Sequence, residues 1–134
     1  MTSPAEAADC SLMVGEGGAP PLPPVDPLID RAHLARMTLG DRALENEVLA
    51  LFDLQASLLL ARMQAAGPAA IGALAHTLKG SARGIGAWKV AEAAEHVERC
   101  ASECSATVLP IAIKALTGAV AEARMAISQL LRSH

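Results

Sequence analysis

Residues 68–87 read PAAIGALAHTLKGSARGIGA. The apolar members of this stretch settle its architecture. At about 100° per residue, Ile71, Leu74, Ala82 and Ile85 all fall within roughly 40° of Leu78, which makes them one stripe of a helix over about 69–84. Pro68 suits a first helical turn, and Gly84 and Gly86 punctuate the far end. The polar members stand elsewhere. His76 lies about 160° from Leu78, and Gly80 lies about as far round from the other side. Arg83 sits about 20° from His76, and Lys79 about 60° from it. The stretch therefore predicts a helix with a core stripe on one side and a histidine, two cations and a missing side chain on the other.

The rest of the chain supplies what that stripe packs against. Before it, residues 41–65 carry Leu44, Val48, Leu51, Phe52, Leu58, Leu59 and Met63 at three- and four-residue steps, a long helix that Asp41 can cap and Gly67-Pro68 stops. Residues 28–38 have looser helical spacing through Leu28, Ile29, Ala32, Leu34 and Met37, a short helix that Gly40 can end. After the central stretch, residues 87–104 place Val90, Ala94, Val97, Ala101 and Cys104 on one stripe. A polar break at Ser105 to Thr107 precedes a last helix whose face is Ile113, Leu116, Val120, Ile127 and Leu130. Four substantial helices with short connections predict an all-α antiparallel up-down four-helix bundle with a short additional N-terminal helix. Residues 1–27 hold most of the prolines and a GEGG patch, so they read as a flexible tail before a single domain at 28–134.

Composition agrees and excludes much. The 134 residues suffice for one domain with a real core. They are 52% hydrophobic but 1% aromatic, so the core must be built from Leu, Val, Ile, Met and Ala, which suits closely packed helices. A net charge of −3 gives no electrostatic case for nucleic-acid binding. No apolar run is long enough to span a bilayer, and no secretory signal opens the sequence. Cys10, Cys100 and Cys104 do not resemble a disulfide framework, and the expected setting is the reducing cytoplasm.

Gly80 gives the polar face its meaning. An interior helix glycine costs about 1 kcal/mol relative to alanine, and on a solvent face it serves no packing of the chain's own core. Its use is to let another molecule approach the helix backbone beside His76. An exposed imidazole with a pKa near 6.5 is largely neutral at cytoplasmic pH, so one ring nitrogen keeps a lone pair able to attack a phosphoryl group. Lys79 and Arg83 would offset the charge of the phosphorylated ring and steer phosphate oxygens.

The run His76-Thr77-Leu78-Lys79-Gly80-Ser81-Ala82, followed by Gly86-Ala87, resembles the motif of the histidine phosphotransfer (HPt) domain. The resemblance implies a four-helix bundle, a phosphoacceptor histidine at His76, and support for transfer from Lys79 and Gly80. It also points to position 98, twenty-two residues on, where the family often has a Gln or Glu that hydrogen-bonds the other ring nitrogen; here it is Glu98. Geometry agrees in part, because the midpoint of 76 and 98 falls at the expected turn and Glu98 lies on a flank of its helix. A carboxylate on Nδ1–H would leave Nε2 free. Glu95, one turn earlier, is the substitute candidate.

The expected function is that of a free-standing phosphorelay intermediate. It would accept a phosphoryl group on His76 from a receiver-domain phospho-aspartate, of a response regulator or hybrid histidine kinase, and pass it to another response regulator. No cofactor is expected on this chain, Mg²⁺ is expected with the partner receiver, and no kinase activity of its own is expected. Ile85 and Trp88, near the turn, are candidate docking residues, and a monomer is expected. The alternative is a helical module that binds receiver domains without phosphoryl traffic. A zinc site at His96, Cys100 and Cys104 is discounted for want of a fourth ligand, and Gly15, Gly17 and Gly18 for want of a preceding strand and a following Lys-Ser/Thr. His33 reads as a surface residue and His134 as terminal.

Overall fold

The computed structural model describes residues 28–103 and 106–132, and all five of its regular elements are helices. They are α1 (Arg31–Met37), α2 (Arg42–Gln64), α3 (Pro68–Ile85), α4 (Trp88–Ser102) and α5 (Val108–Arg132). The expected tail, with Cys10 and the glycines at 15, 17 and 18, lies outside the described residues, as do Cys104 and His134.

Local chemistry sets the boundaries. Asp30 caps α1 by accepting from the His33 amide at 3.0 Å, and Asp41 caps α2 through the Leu44 amide at 3.0 Å. Pro68 starts α3, and Gly86 ends it in the left-handed conformation (φ +79). The ring of four long helices closes through neighbours in sequence, with α3 against α4 the most extensive pair and α2 against α5 the thinnest. Arg124 and Asp53 tie that thin seam at 2.6 Å. The short α1 packs on α3.

Alanine explains why α3 and α4 lie so close. Ala75, Ala82 and Ala94 have no exposed surface, and a Cβ on Gly72 would stand 3.6 Å from that of Ala101. Small facing residues let two helix backbones approach, while Leu49, Met63, Leu78, Leu116 and Ile127 fill the space between the four helices. Each such side chain contributes about 1.5–3 kcal/mol by leaving water. The core thus needs one phenylalanine, Phe52, and no other aromatic.

The α2 stripe read from the sequence needs correction. Phe52, Leu59 and Met63 are buried, together with Leu49 and Ala56. Leu44, Leu51 and Leu58 are 40%, 63% and 51% exposed. They lie on an outward flank of α2, roughly 100–140° round from the buried stripe, because the helix carries leucines at helical spacing on both faces.

Candidate functional site

His76 sits midway along α3 on the side away from the core, its side chain 67% exposed. The closeness of α3 and α4 brings Glu98 to it. The Nδ1–H of His76 donates to Glu98 Oε2 at 2.9 Å, and Lys79 Nζ donates to Glu98 Oε1 at 2.8 Å. The carboxylate therefore accepts from both, one oxygen each. With Nδ1 bearing the proton, Nε2 keeps its lone pair and stands free of the pairing that orients the ring.

The electrostatics follow from these bonds. The Lys79 hydrogen bond, helped by that of His76 and opposed by partial burial, holds the Glu98 carboxyl below its ordinary range. The group is half-buried, so its net effect on stability is small. A folded-state pKa below the unfolded value means that the ion pair stabilises the fold above an ordinary glutamate pKa of about 4.3, and that this is lost as pH falls through the depressed value. Glu98→Gln should therefore flatten the acid limb of the stability curve below about pH 4.3 by roughly a few tenths of a kcal/mol, read from urea melts across that range.

Lys79, the cation expected to steer phosphate oxygens, is paired within the bundle. Its side chain is only 15% exposed and is engaged by Glu98. Arg83 stays on the surface two turns from His76, where it pairs with Glu95 at 3.7 Å, and Glu95 also meets Arg99. Glu95, the substitute candidate, is thus occupied by arginines, and Glu98 is the carboxylate that reaches His76.

Gly80 faces open space. A Cβ built on it meets nothing within 4 Å, so no neighbour in the bundle requires glycine there. On the other side of His76, toward the start of α3, an open hollow of about 300 Å³ is lined by Ala69, Gly72, Ala73, His76, Glu98 and Ala101, among others. Sequence reasoning did not single out Gly72; its spacing one turn before His76 was the available signal.

Of the two candidate docking residues, Ile85 is corrected. It is 6% exposed and belongs to the core, because it completes the stripe of Leu78 and Ala82, so it offers no surface to a partner. Trp88 is 39% exposed, with its indole N–H donated to Asp30 Oδ2 at 3.0 Å. His33 is not a simple surface residue either. Its Nε2 donates to the Arg83 carbonyl at 2.9 Å, and its ring lies 4.9 Å from that of Trp88. His96 contacts Arg99 and Cys100, away from His76. Among the described residues, no group of three His, Cys, Asp or Glu side chains is placed to hold a metal ion, and no helix is long and apolar enough to cross a membrane.

An antiparallel helical bundle that presents a solvent-facing histidine, oriented from the adjacent helix by a carboxylate, defines a class of protein built around that ring. The comparisons identify the family: the model of the Hpt domain matches residues 44–131, more than half of the chain, and the chain belongs to the Hpt domain family. Its role is accordingly in histidine phosphotransfer. Among solved structures it is similar to histidine-containing phosphotransfer protein B (HptB) from Pseudomonas aeruginosa PAO1, with a TM-score of 0.73 and 23% identity over 82% of this chain and 99% of that one. At that identity the likeness bears on the fold. No curated protein matches the chain.

Proposed function

We propose that this protein is a phosphorelay intermediate in which His76 Nε2 accepts a phosphoryl group from the phospho-aspartate of a receiver domain and returns it to the aspartate of another. The observation that carries the reading is the His76–Glu98 bond, which commits Nδ1 to the carboxylate and leaves Nε2 as the exposed nucleophile. In the forward step the Nε2 lone pair forms the P–N bond as the P–O bond of the acyl phosphate breaks, and the aspartate carboxylate departs with the electron pair. The ring becomes cationic, and Glu98 stabilises it through Nδ1–H, while Lys79 holds Glu98 in place. Arg83 lies along the same face, where it can attract phosphate oxygens. Mg²⁺ is assigned to the receiver, since Glu98, the carboxylate beside His76, is already spent on two donors. Catalysis on this chain is then positioning and electrostatics.

The test is direct. Incubation with a phosphorylated receiver domain should give an acid-labile label, and NMR of the labelled protein should place it on His76 Nε2. Label on another residue overturns the assignment. Failure of every receiver domain of the same organism to label the protein favours a binding module without phosphoryl traffic.

Gly80 gives a second expected result. Gly80→Gln meets no atoms of its own bundle and removes a helix-weakening residue, so it should leave stability unchanged or raise it by up to about 1 kcal/mol. Transfer should nonetheless slow by at least about tenfold, a barrier increase of about 1.4 kcal/mol, because the partner's backbone can no longer come close beside the ring. Thermal melts should show stability held or raised while phosphate-label decay shows slower transfer. An unchanged rate would remove the role assigned to the bare patch.

A further inference from the structure

The outer face of α2 carries an apolar seam that the bundle leaves uncovered among the described residues. Leu44, Leu51 and Leu58 recur every seven residues, and Leu54 falls between the last two; Leu51, Leu54 and Leu58 are 63%, 59% and 51% exposed. The core of the same helix, Leu49, Phe52, Ala56, Leu59 and Met63, points the other way. A seven-residue repeat of leucines along one side of a 23-residue helix is the pattern by which two helices pack side by side. Small residues at 50, 57 and 61 flank the leucines and permit close approach.

Two charges select the occupant and its direction. Glu47 and Arg62 stand near opposite ends of the seam, and neither has an ion-pair partner among the described residues. A second α2 laid antiparallel across a two-fold axis between residues 54 and 55 sets Leu51 against Leu58 of the other copy. The same operation sets Glu47 against Arg62 of that copy, twice. Parallel pairing would instead set Glu47 against Glu47 and Arg62 against Arg62. We propose that the α2 outer face is an isologous interface through which two copies of this chain associate antiparallel, with the leucine seam at its centre and two Glu47–Arg62 pairs at its ends. This departs from the expectation of a monomer. It does not depend on whether His76 accepts a phosphoryl group.

The seam is narrow, so the dimer is weak, in the micromolar to millimolar range rather than obligate. Sedimentation equilibrium of the full chain, taken up to about 1 mM, should show a monomer–dimer equilibrium. Leu54→Glu places like charges at the axis and should weaken association at least about tenfold. Glu47→Arg should also weaken it, and adding Arg62→Glu in the same chain should restore it. A full chain that stays monomeric throughout, or a double charge reversal no better than the single one, overturns the proposal. So does a monomeric chain in which Leu54→Glu slows transfer from a receiver domain, since that face would then belong to the receiver.

Discussion

His76→Gln is expected to abolish phosphoryl uptake from a phosphorylated receiver domain and to leave the fold as it is. The loss should be complete, because Gln offers no nucleophilic ring nitrogen and nothing nearby among the described residues replaces it. Lys79 is committed to Glu98, His33 commits Nε2 to the Arg83 carbonyl from another helix, and His96 lies against Cys100. The fold should not notice, because the His76 side chain is 67% exposed and its partner keeps the second bond to Lys79. The glutamine amide can itself donate toward Glu98, so the carboxylate is not stranded. The thermal midpoint should therefore stay within about 3 °C of wild type, since a surface substitution away from caps and core is worth within about 0.5 kcal/mol. Receiver binding, measured with an unphosphorylated receiver, should also survive within a few-fold. Residual acid-labile label on the variant would mean that the acceptor lies elsewhere.

The residues on which this rests differ in how far the sequence disclosed them. The wheel drawn on α3 places His76 outside the core, and the structure agrees, because five apolar residues and one histidine leave little choice of face. Gly80 was legible for the same reason: an exposed helix glycine has a cost and no internal use. Glu98 was only half legible. Its level opposite His76 follows from antiparallel pairing, but whether its side chain reaches depends on how closely α3 and α4 approach, and that is set by alanines whose effect is tertiary. For a related reason the wheel gave the angle of Lys79 but not its pairing with Glu98.

Other features left no local trace. On α2, leucines at helical spacing serve two faces at once, and periodicity cannot tell the buried set from the exposed one; Leu49 and Ala56, which were not singled out, are core, whereas Leu51 and Leu58 are not. His33 and the Arg83 carbonyl are fifty residues apart, and no spacing rule joins them. Gly86 was read as punctuation after α3 and as part of the motif, but the constraint on it comes from Asp30, on a segment that passes over the turn between α3 and α4.

That constraint predicts the largest loss of stability from a single methyl group. Gly86 adopts φ +79, and a Cβ there would stand 2.8 Å from Asp30 Cβ, 2.9 Å from Asp30 O and 3.1 Å from Asp30 N. These are mostly backbone atoms, and they cannot step aside individually. The Asp30 amide donates to the Gly86 carbonyl at 2.9 Å, while the Asp30 side chain caps α1 and accepts from Trp88. Relief of the clash must therefore lift the start of α1 and expose Ile29 and Leu34, both now buried. Left-handed strain for a non-glycine residue costs about 1–2 kcal/mol, and overpacking against a fixed neighbour typically about 1–3 kcal/mol more. Gly86→Ala should thus destabilise by about 2–5 kcal/mol and lower the thermal midpoint by roughly 10–25 °C for a domain of this size. Gly40 supplies the control, since it has nearly the same conformation (φ +75) but nothing within 4 Å of its Cβ position. Gly40→Ala should bear the conformational strain alone, about 1–2 kcal/mol. If denaturant melts show the two alanine variants equally destabilised, the contact with Asp30 is not what demands glycine at 86.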